Sequence, residues 1–452
     1  MIVPLPYQLE DIARIEQFDG RTLNANSMGL GKTLETLWVL QRNPSWLPAL
    51  VIAPAGVKID WQVAASSLGF SVALCQGQKP PKTHDNDFSL ASPITIINYD
   101  ILQHWVEYIG RLRPRTIVMD ECRNITNVRT RRYRAAAAII AKAERVMGLD
   151  GTPLSNRVSE LFPIVNLIWP DAFATFSEFS QMFCKPYWTP WGWKTDKSEN
   201  EDILHEKLKR LGMVRRRKED VLKDLPEKIR RVVPCEISDP DEYNRASTDF
   251  IGWLKERMAH RVRAASRAEA LTRVSYLLRL ASRLKIRTPV DWANRFLQQT
   301  DEKLILFAIH EKAGDVLKRR VEAKSVEFNG KMTPHQKHAA VNVFRDDPDT
   351  RVLIGSRAAW AGINLQVAST TGMVEMHWNP AHVNQAEDRT WRLGQRNAVW
   401  INYFVAQGTI EERLCKILQQ KQTVASAVLD GGPRDNDLNI FDLYLDEIQQ
   451  EL

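Results

Sequence analysis

Ten short apolar runs constrain this chain more than any other feature. Five stand at "ALVIAP" (49–54), "SVALCQ" (71–76), "ITIINY" (94–99), "TIVMDE" (116–121) and "RVMGLD" (145–150). Five more follow a long gap, at "KLILFA" (303–308), "KSVEFNG" (324–330), "RVLIGS" (351–356), "GMVEM" (372–376) and "VWINYFV" (399–405). The runs are near-continuous rather than alternating, so each strand needs cover on both faces, as in a parallel sheet. Helical patterns between them, such as 57–68 and 131–143, give β-α-β winding and an α/β fold. The rhythm stops over 157–212, which reads as helical and aromatic-rich with "WTPWGWK" (188–194) as a loop. It stops again over 241–299, helical and rich in Arg and Ala. The expectation is two α/β lobes with helical insertions, which 452 residues can accommodate.

No apolar run is long enough to span a membrane, and "MIVPLPYQLEDIARI" lacks the pattern of a secretory leader. Five scattered cysteines without a C-x-x-C pair argue against zinc and disulfides and fit a reducing cytoplasm. The formal charge is +7. Basic residues gather at "RLRPR" (111–115), "RTRRYR" (129–134), "RRRK" (215–218) and "KERMAHRVRAASR" (255–267), which together point to a nucleic-acid backbone. The acidic stretch "DNDLNIFDLYLDEIQQEL" (435–452) reads as a short amphipathic element packing back on the body.

"ANSMGLGKT" (25–33) resembles a phosphate loop, although Asn26 stands where the opening glycine is usual. "DGRTLNAN" before it makes a poor strand, and "KTLETLWVLQR" after it a good helix. Gly29 and Gly31 permit the turn that aims backbone N–H groups at phosphates. Lys32 would reach the β- and γ-phosphates, and Thr33 would place its hydroxyl on Mg2+. "TIVMDECRN" then puts Asp120 and Glu121 at the C-terminal end of a strand, where ligands bind in open α/β sheets. Asp120 could share the Mg2+ shell, and Glu121 could polarise the attacking water. Arg389 and Arg392, three apart on an expected helix of the second lobe, supply charge for the transferred phosphate. If the lobes face each other, ATP hydrolysis couples to lobe movement, which is the logic of a motor.

These motifs, in this order, resemble the Swi/Snf-family ATPases of helicase superfamily two over most of 5–415. "SMGLGKT" matches the family's "DEMGLGKT", which also lacks the first glycine, and "PYQLEDI" (6–12) resembles its adenine-recognising segment. "LVIAPAGVKIDWQ" (50–62), "TIINYDIL" (95–102), "MDECR" and "GLDGTPLSN" (148–156) resemble motifs Ia, Ib, II and III. "VRRRKEDVLKDLPEK" (214–228) resembles the segment linking the two halves. "FNGKMTPHQKHAAVNVFR" (328–345), "GINLQVAS" (362–369) and "WNPAHVNQAEDRTWRLGQ" (378–395) resemble motifs IVa, V and VI.

The resemblance implies two RecA-like lobes, parallel sheets flanked by helices. Lobe one would span 1–156 and a helical protrusion 157–212. A linking segment at 213–240 would precede a second protrusion at 241–299, then lobe two at 300–425 and an acidic segment at 426–452. It implies ATP binding by Gln8, Met28, Gly29, Leu30, Gly31, Lys32, Thr33 and Gln385. Thr152, Asn156, Ser356 and Gly362 would face double-stranded DNA. The implied activity is ATP-driven translocation along duplex DNA, with a lean toward forks, junctions and repair intermediates through Glu375, and with recruitment by a protein partner. A compact motor of this kind belongs in a bacterial nucleoid or, for a phage protein, the host cytoplasm. Two alternatives stay open: a strand-separating helicase on DNA or RNA, and an ATP-binding scaffold without turnover.

The departures are specific. Asn26-Ser27 replace an acidic pair, Cys122-Arg123 the commoner Ala-His of motif II, and Asp150 a threonine before Gly151-Thr152. Ala359-Trp360 replace two glycines in motif V, which predicts a stiffer loop, and Trp391 replaces a histidine in motif VI. None removes a hydrolytic group.

Overall fold

A computed structural model describes residues 3–80, 92–154, 157–189, 192–195, 197–259, 265–360, 363–377, 380–392, 394–415 and 427–431. In chain order its first strands are β1 Thr22–Asn24, β2 Ala49–Ala53, β3 Val72–Leu74, β4 Ile94–Asn98, β5 Thr116–Asp120 and β6 Arg145–Leu149. Next come β7 Tyr187–Thr189, β8 Gly192–Lys194, β9 Met213–Val214 and β10 Lys228–Cys235. The last are β11 Leu304–Phe307, β12 Ser325–Phe328, β13 Val352–Gly355, β14 Thr370–Met373 and β15 Val399–Ala406. The chain forms two compact units, one of Met1–Lys223 with Thr423–Pro433, the other built from Asp224–Gln422.

The first unit holds a parallel sheet in the order β3-β4-β2-β5-β6-β1-β9. Successive residues along its strands enter opposite cores. Leu50, Ile52, Ile117 and Met119 join one cluster, while Ala49, Val51, Ala53 and Val118 join the other. This two-sided burial is why the runs carry no polar alternation. The second unit repeats the plan with β10-β15-β14-β11-β13-β12, also parallel throughout. Ile305, Phe307 and Leu353 enter one of its cores, and Leu304, Leu306 and Ile354 another. The two α/β lobes expected from sequence are therefore present.

Several local expectations need correction. "DGRTLNAN" does contain a strand: β1 is fully buried between β6 and β9. Its polar residues disguise it, because Asn24 faces inward to donate to Glu35 Oε2 at 2.7 Å. "WTPWGWK" is not a loop, since β7 and β8 pair as an antiparallel hairpin. The strand expected at 372–376 runs earlier, Thr370–Met373, placing Glu375 beyond its end. The linking segment contributes an edge strand to each sheet, β9 to the first and β10 to the second.

The helical expectation for 241–299 is met by Pro240–Ala259, Ala265–Lys285 and Arg287–Gln299. A short segment near the C-terminus belongs to the first unit. Val428 and Leu429 are buried in its core, and Asp430 pairs with Arg215 at 2.7 Å. The acidic stretch 435–452 lies outside the described residues. No helix among the described residues is long and apolar enough to cross a membrane. The five cysteines are free and buried.

Candidate active site

The phosphate-type loop leaves the C-terminal end of β1 and enters the helix Lys32–Arg42 through Gly31, whose φ is +87°. That left-handed conformation strongly favours glycine. A side chain there would also collide with the Gln8 amide. Gln8 is buried and donates to the Leu30 carbonyl at 3.0 Å, joined there by the Tyr7 hydroxyl at 2.9 Å. The segment read as adenine-recognising thus grips the loop from outside.

Lys32 Nζ donates to the carbonyls of Asn26 at 2.6 Å and Ser27 at 3.3 Å. Burial pushes its pKa down, while Glu121, Asp150, Asp120 and Glu35 pull the other way. Gly151 packs directly on the loop: a Cβ there would lie 2.8 Å from Met28 Cγ.

Asp120 closes β5. Its Oδ2 accepts from Trp61 Nε1 at 2.8 Å and its Oδ1 from the Glu121 amide at 3.1 Å. Burial, then neighbouring Glu121, push the Asp120 carboxyl up. Asp120 and Thr33 are the residues whose hard oxygens could hold a divalent cation beside this loop. Glu121 sits at φ +49°, in the left-handed region, directly after the end of β5.

The departures in motifs II and III prove to be partners. Arg123 Nη2 donates to Glu121 Oε2 at 2.7 Å, and Nη1 to Thr152 Oγ1 at 2.8 Å. Asp150, 1% exposed, accepts from the Arg123 amide at 3.0 Å and the Thr152 amide at 2.9 Å. One guanidinium and one buried carboxylate therefore tie the acidic end of β5 to the loop after β6. Asp150 also lies 3.9 Å from Arg123 Nε, placing beside the guanidinium a charge that a threonine would not supply.

Asn26 is explained by what surrounds it. It is fully buried and donates to Asp11 Oδ2 at 2.8 Å and to Glu35 Oε2 at 3.4 Å. Burial, then the Asp11 charge, push Glu35 up to about 7, and burial raises Asp11 as well. An acid at 26 would put a third carboxylate among these two and remove the amide donor. Asn26→Asp is therefore expected to destabilise the first unit by about 2–3 kcal/mol near pH 8. A carboxyl whose folded pKa is raised costs most where it must ionise. The deficit relative to the parent should therefore shrink toward about pH 5. Thermal melts of both proteins across that range check the sign, and a pH-independent difference would contradict it.

The cluster "RRRK" is not a phosphate-binding surface. Arg215 Nη1 donates to the carbonyls of Ala25 at 2.6 Å and Gly151 at 3.0 Å, and Arg216 pairs with Asp11 at 2.6 Å and Glu10 at 2.7 Å. Arg217 and Lys218 are buried. Composition marks such a run as basic without showing that its partners are internal. By contrast, Arg129, Arg131, Arg132 and Arg134 are exposed. Residues 255–267 fall where side chains are outside the described set or, at 260–264, the backbone is as well.

In the second unit, the expected helix carrying both arginines ends early, at Glu387. Lys228 at 3.1 Å and Arg230 at 2.7 Å hold the Glu387 carboxylate well below the usual range against the effect of its burial, and Tyr403 donates to it as well. Arg389 and Arg392 follow in turns, yet both reach the Ile363 carbonyl, at 3.1 and 3.4 Å. Arg389 is buried and also donates to the Gln385 carbonyl at 3.1 Å, and burial lowers the pKa of Arg392. Gln385 is itself buried.

Trp391 Nε1 donates to the Pro226 carbonyl at 2.7 Å, with Lys228 4.3 Å over its ring. The histidine replacement thus fastens motif VI to the linking segment. Ala359 and Trp360 are buried, and Trp360 packs on His377 with ring centroids 5.4 Å apart. Ser356 follows β13, its Oγ accepting from the Ala358 amide at 3.2 Å. Asn156 and Gly362 lie outside the described residues.

Paired parallel α/β units, one carrying a lysine-bearing glycine loop beside strand-end carboxylates, define the helicase-like P-loop ATPases. Within that class the chain belongs to the SNF2-related family. The SNF2-related domain matches residues 18–286, and the helicase conserved C-terminal domain matches 288–394. Mouse (Mus musculus) "DNA annealing helicase and endonuclease ZRANB3" is 27% identical over 94% of this chain and 41% of its own length. The Caenorhabditis elegans homolog of "SWI/SNF-related matrix-associated actin-dependent regulator of chromatin subfamily A-like protein 1" is 29% identical, over 94% and 61%. The chain thus spans less than two thirds of these curated relatives. Among solved structures, a Sulfolobus solfataricus SWI2/SNF2 ATPase core in complex with dsDNA is 21% identical with a TM-score of 0.44. That match covers 94% of this chain and 93% of the other.

Proposed function

We propose that this protein is an ATP-driven translocase on double-stranded DNA. The observation that carries the reading is the convergence, at the C-terminal ends of β1, β5 and β6, of Lys32, Asp120, Glu121 and Thr152, the last two joined through Arg123. Lys32 and the loop amides bind the β- and γ-phosphates, aided by Gly29, Leu30 and Gly31. Mg2+ held by Thr33 and Asp120 would supply charge neutralisation across those phosphates. Glu121 orients the attacking water and accepts its proton as the γ-phosphate is transferred. Arg389 and Arg392 are the arginines to which we assign stabilisation of the developing charge. The link from Glu121 through Arg123 to Thr152 supports coupling to nucleic acid, because Thr152 and Ser356 are the described residues assigned to the DNA face.

Duplex DNA is favoured by family membership and by relatives whose names specify DNA annealing. Forked or junction DNA is the finer reading from the same names, and a recruiting protein partner is consistent with the longer relatives. ATPase rates should rise with duplex, forked or junction DNA. The protein should also strip a third strand from a triplex without unwinding a plain partial duplex. Robust unwinding would make it a conventional helicase. Nucleotide binding without turnover on any DNA or RNA would make it a scaffold.

A further inference from the structure

The hairpin of β7 and β8 presents an anomaly. Trp188 and Trp193 are 65% and 69% exposed, whereas Trp38, Trp46, Trp61, Trp105, Trp360 and Trp391 are at most 6% exposed. Large aromatics are rarely left in water in pairs without a ligand to cover them. The hairpin register sets Trp188 opposite Trp193, so both indoles stand on one face, edge to face at 5.7 Å and 73°. Tyr187 and Lys194 occupy the other face, and Lys197 lies 4.5 Å over the Tyr187 ring.

Hairpins of two three-residue strands are marginal, and a cross-strand ring pair helps to hold one together. That role accounts for contact between the rings, but not for leaving their outer surfaces uncovered. A β-branched pair would brace the strands without exposing two indoles. The surroundings are basic as well: Lys185 and Lys197 are exposed and Lys194 is half-buried. Glu199 is already engaged by Lys185 at 3.5 Å. Exposed π-faces on a hairpin that carries Lys194 and Lys197 on its other face complement unstacked bases on a phosphate backbone, and every base offers such a face regardless of sequence. Intact duplex hides its base faces except at its ends.

We infer that this hairpin is a stacking platform for single-stranded nucleic acid, engaging the unpaired strand beside the duplex on which the motor acts. The inference rests on the DNA-directed reading above and narrows its substrate to duplex with an exposed single strand. The test uses the full chain and two probes: a fluorescently labelled blunt duplex, and the same duplex with a single-stranded dT tail. Anisotropy gives binding and steady-state ATPase gives activation.

Trp188→Ala/Trp193→Ala should weaken binding to the tailed probe about 10-fold and leave the blunt duplex unchanged. Trp188→Leu/Trp193→Leu, which keeps an apolar cross-strand pair but no ring face, should behave in the same way. Trp188→Phe/Trp193→Phe should recover most of the loss. Equal weakening on both probes, or no change on either, overturns the platform; the latter result would leave a protein-facing surface or a hairpin brace. A parent protein that binds the tail through these residues yet shows no DNA-stimulated ATPase would sink the motor reading and spare the platform.

Discussion

Lys32→Ala is expected to lower ATP turnover about 100- to 1,000-fold, the scale of losing one preorganised charge-stabilising group. The local electrostatics make the loss hard to compensate. Lys32 is the cation set among Glu35, Asp120, Glu121 and Asp150, all of which favour its charged form against the effect of burial. Removing it leaves acidic groups facing an incoming polyanion, so phosphate binding suffers together with the chemistry. Its ammonium is also bonded to the Asn26 and Ser27 carbonyls. Arg123 is no substitute, because it already bridges Glu121 and Thr152. DNA binding should be largely retained, because Lys32 lies on the nucleotide loop. Steady-state ATPase with and without duplex DNA, together with anisotropy on the same DNA, separates these effects. Near-normal turnover would mean that the loop is not the hydrolytic site.

The strands read most easily were those buried on both faces, since nothing polar interrupts "ALVIA" or "TIVMD". β1 was hidden for the opposite reason. Thr22 and Asn24 are polar but interior, and only the fold reveals that Asn24 has Glu35 as its partner. Spacing singled out Lys32, Asp120 and Glu121 as candidates, because strand-end and helix-start chemistry is local. It could not identify Arg215 as a tie between Ala25, Gly151 and Asp430, whose sites are remote along the chain. Nor could it distinguish the internal arginines 215–217 from the exposed ones near 131. The same limit applies to Arg389 and Arg392. Their spacing of three fits one helix face, but Glu387 is held by Lys228 and Arg230 from β10, and the helix ends there. Three departures from the family pattern have spatial counterparts: Asn26 with Asp11 and Glu35, Arg123 with Asp150, Trp391 with Pro226.

Lys285→Ala should destabilise the second unit by about 3–5 kcal/mol, because it strands a buried charge. Lys285 closes the helix Ala265–Lys285, and its fully buried ammonium donates to Glu411 Oε1 at 2.7 Å, Oε2 at 2.6 Å and the Phe404 carbonyl at 2.6 Å. Glu411 in turn accepts from the Ala406 amide at 2.8 Å, so the pair seals the end of β15. Burial raises the Glu411 pKa even with Lys285 opposing it. Without the lysine the carboxyl would rise further and take up a proton more readily. A raised carboxylate pKa means stability that falls as pH increases from the unfolded value toward the folded one. The variant should therefore lose least near about pH 5 and most near about pH 8. Lys285→Met/Glu411→Leu removes both charges and should recover much of the loss, as an apolar pair of similar volume needs no desolvation. Urea unfolding followed by a probe in the second unit reads these differences. A double variant no more stable than Lys285→Ala would show that the pair holds the helix through geometry rather than charge. Below its melting transition, Lys285→Ala should keep parental ATPase, in contrast to Lys32→Ala, because Lys285 braces the sheet and does not touch the nucleotide loop.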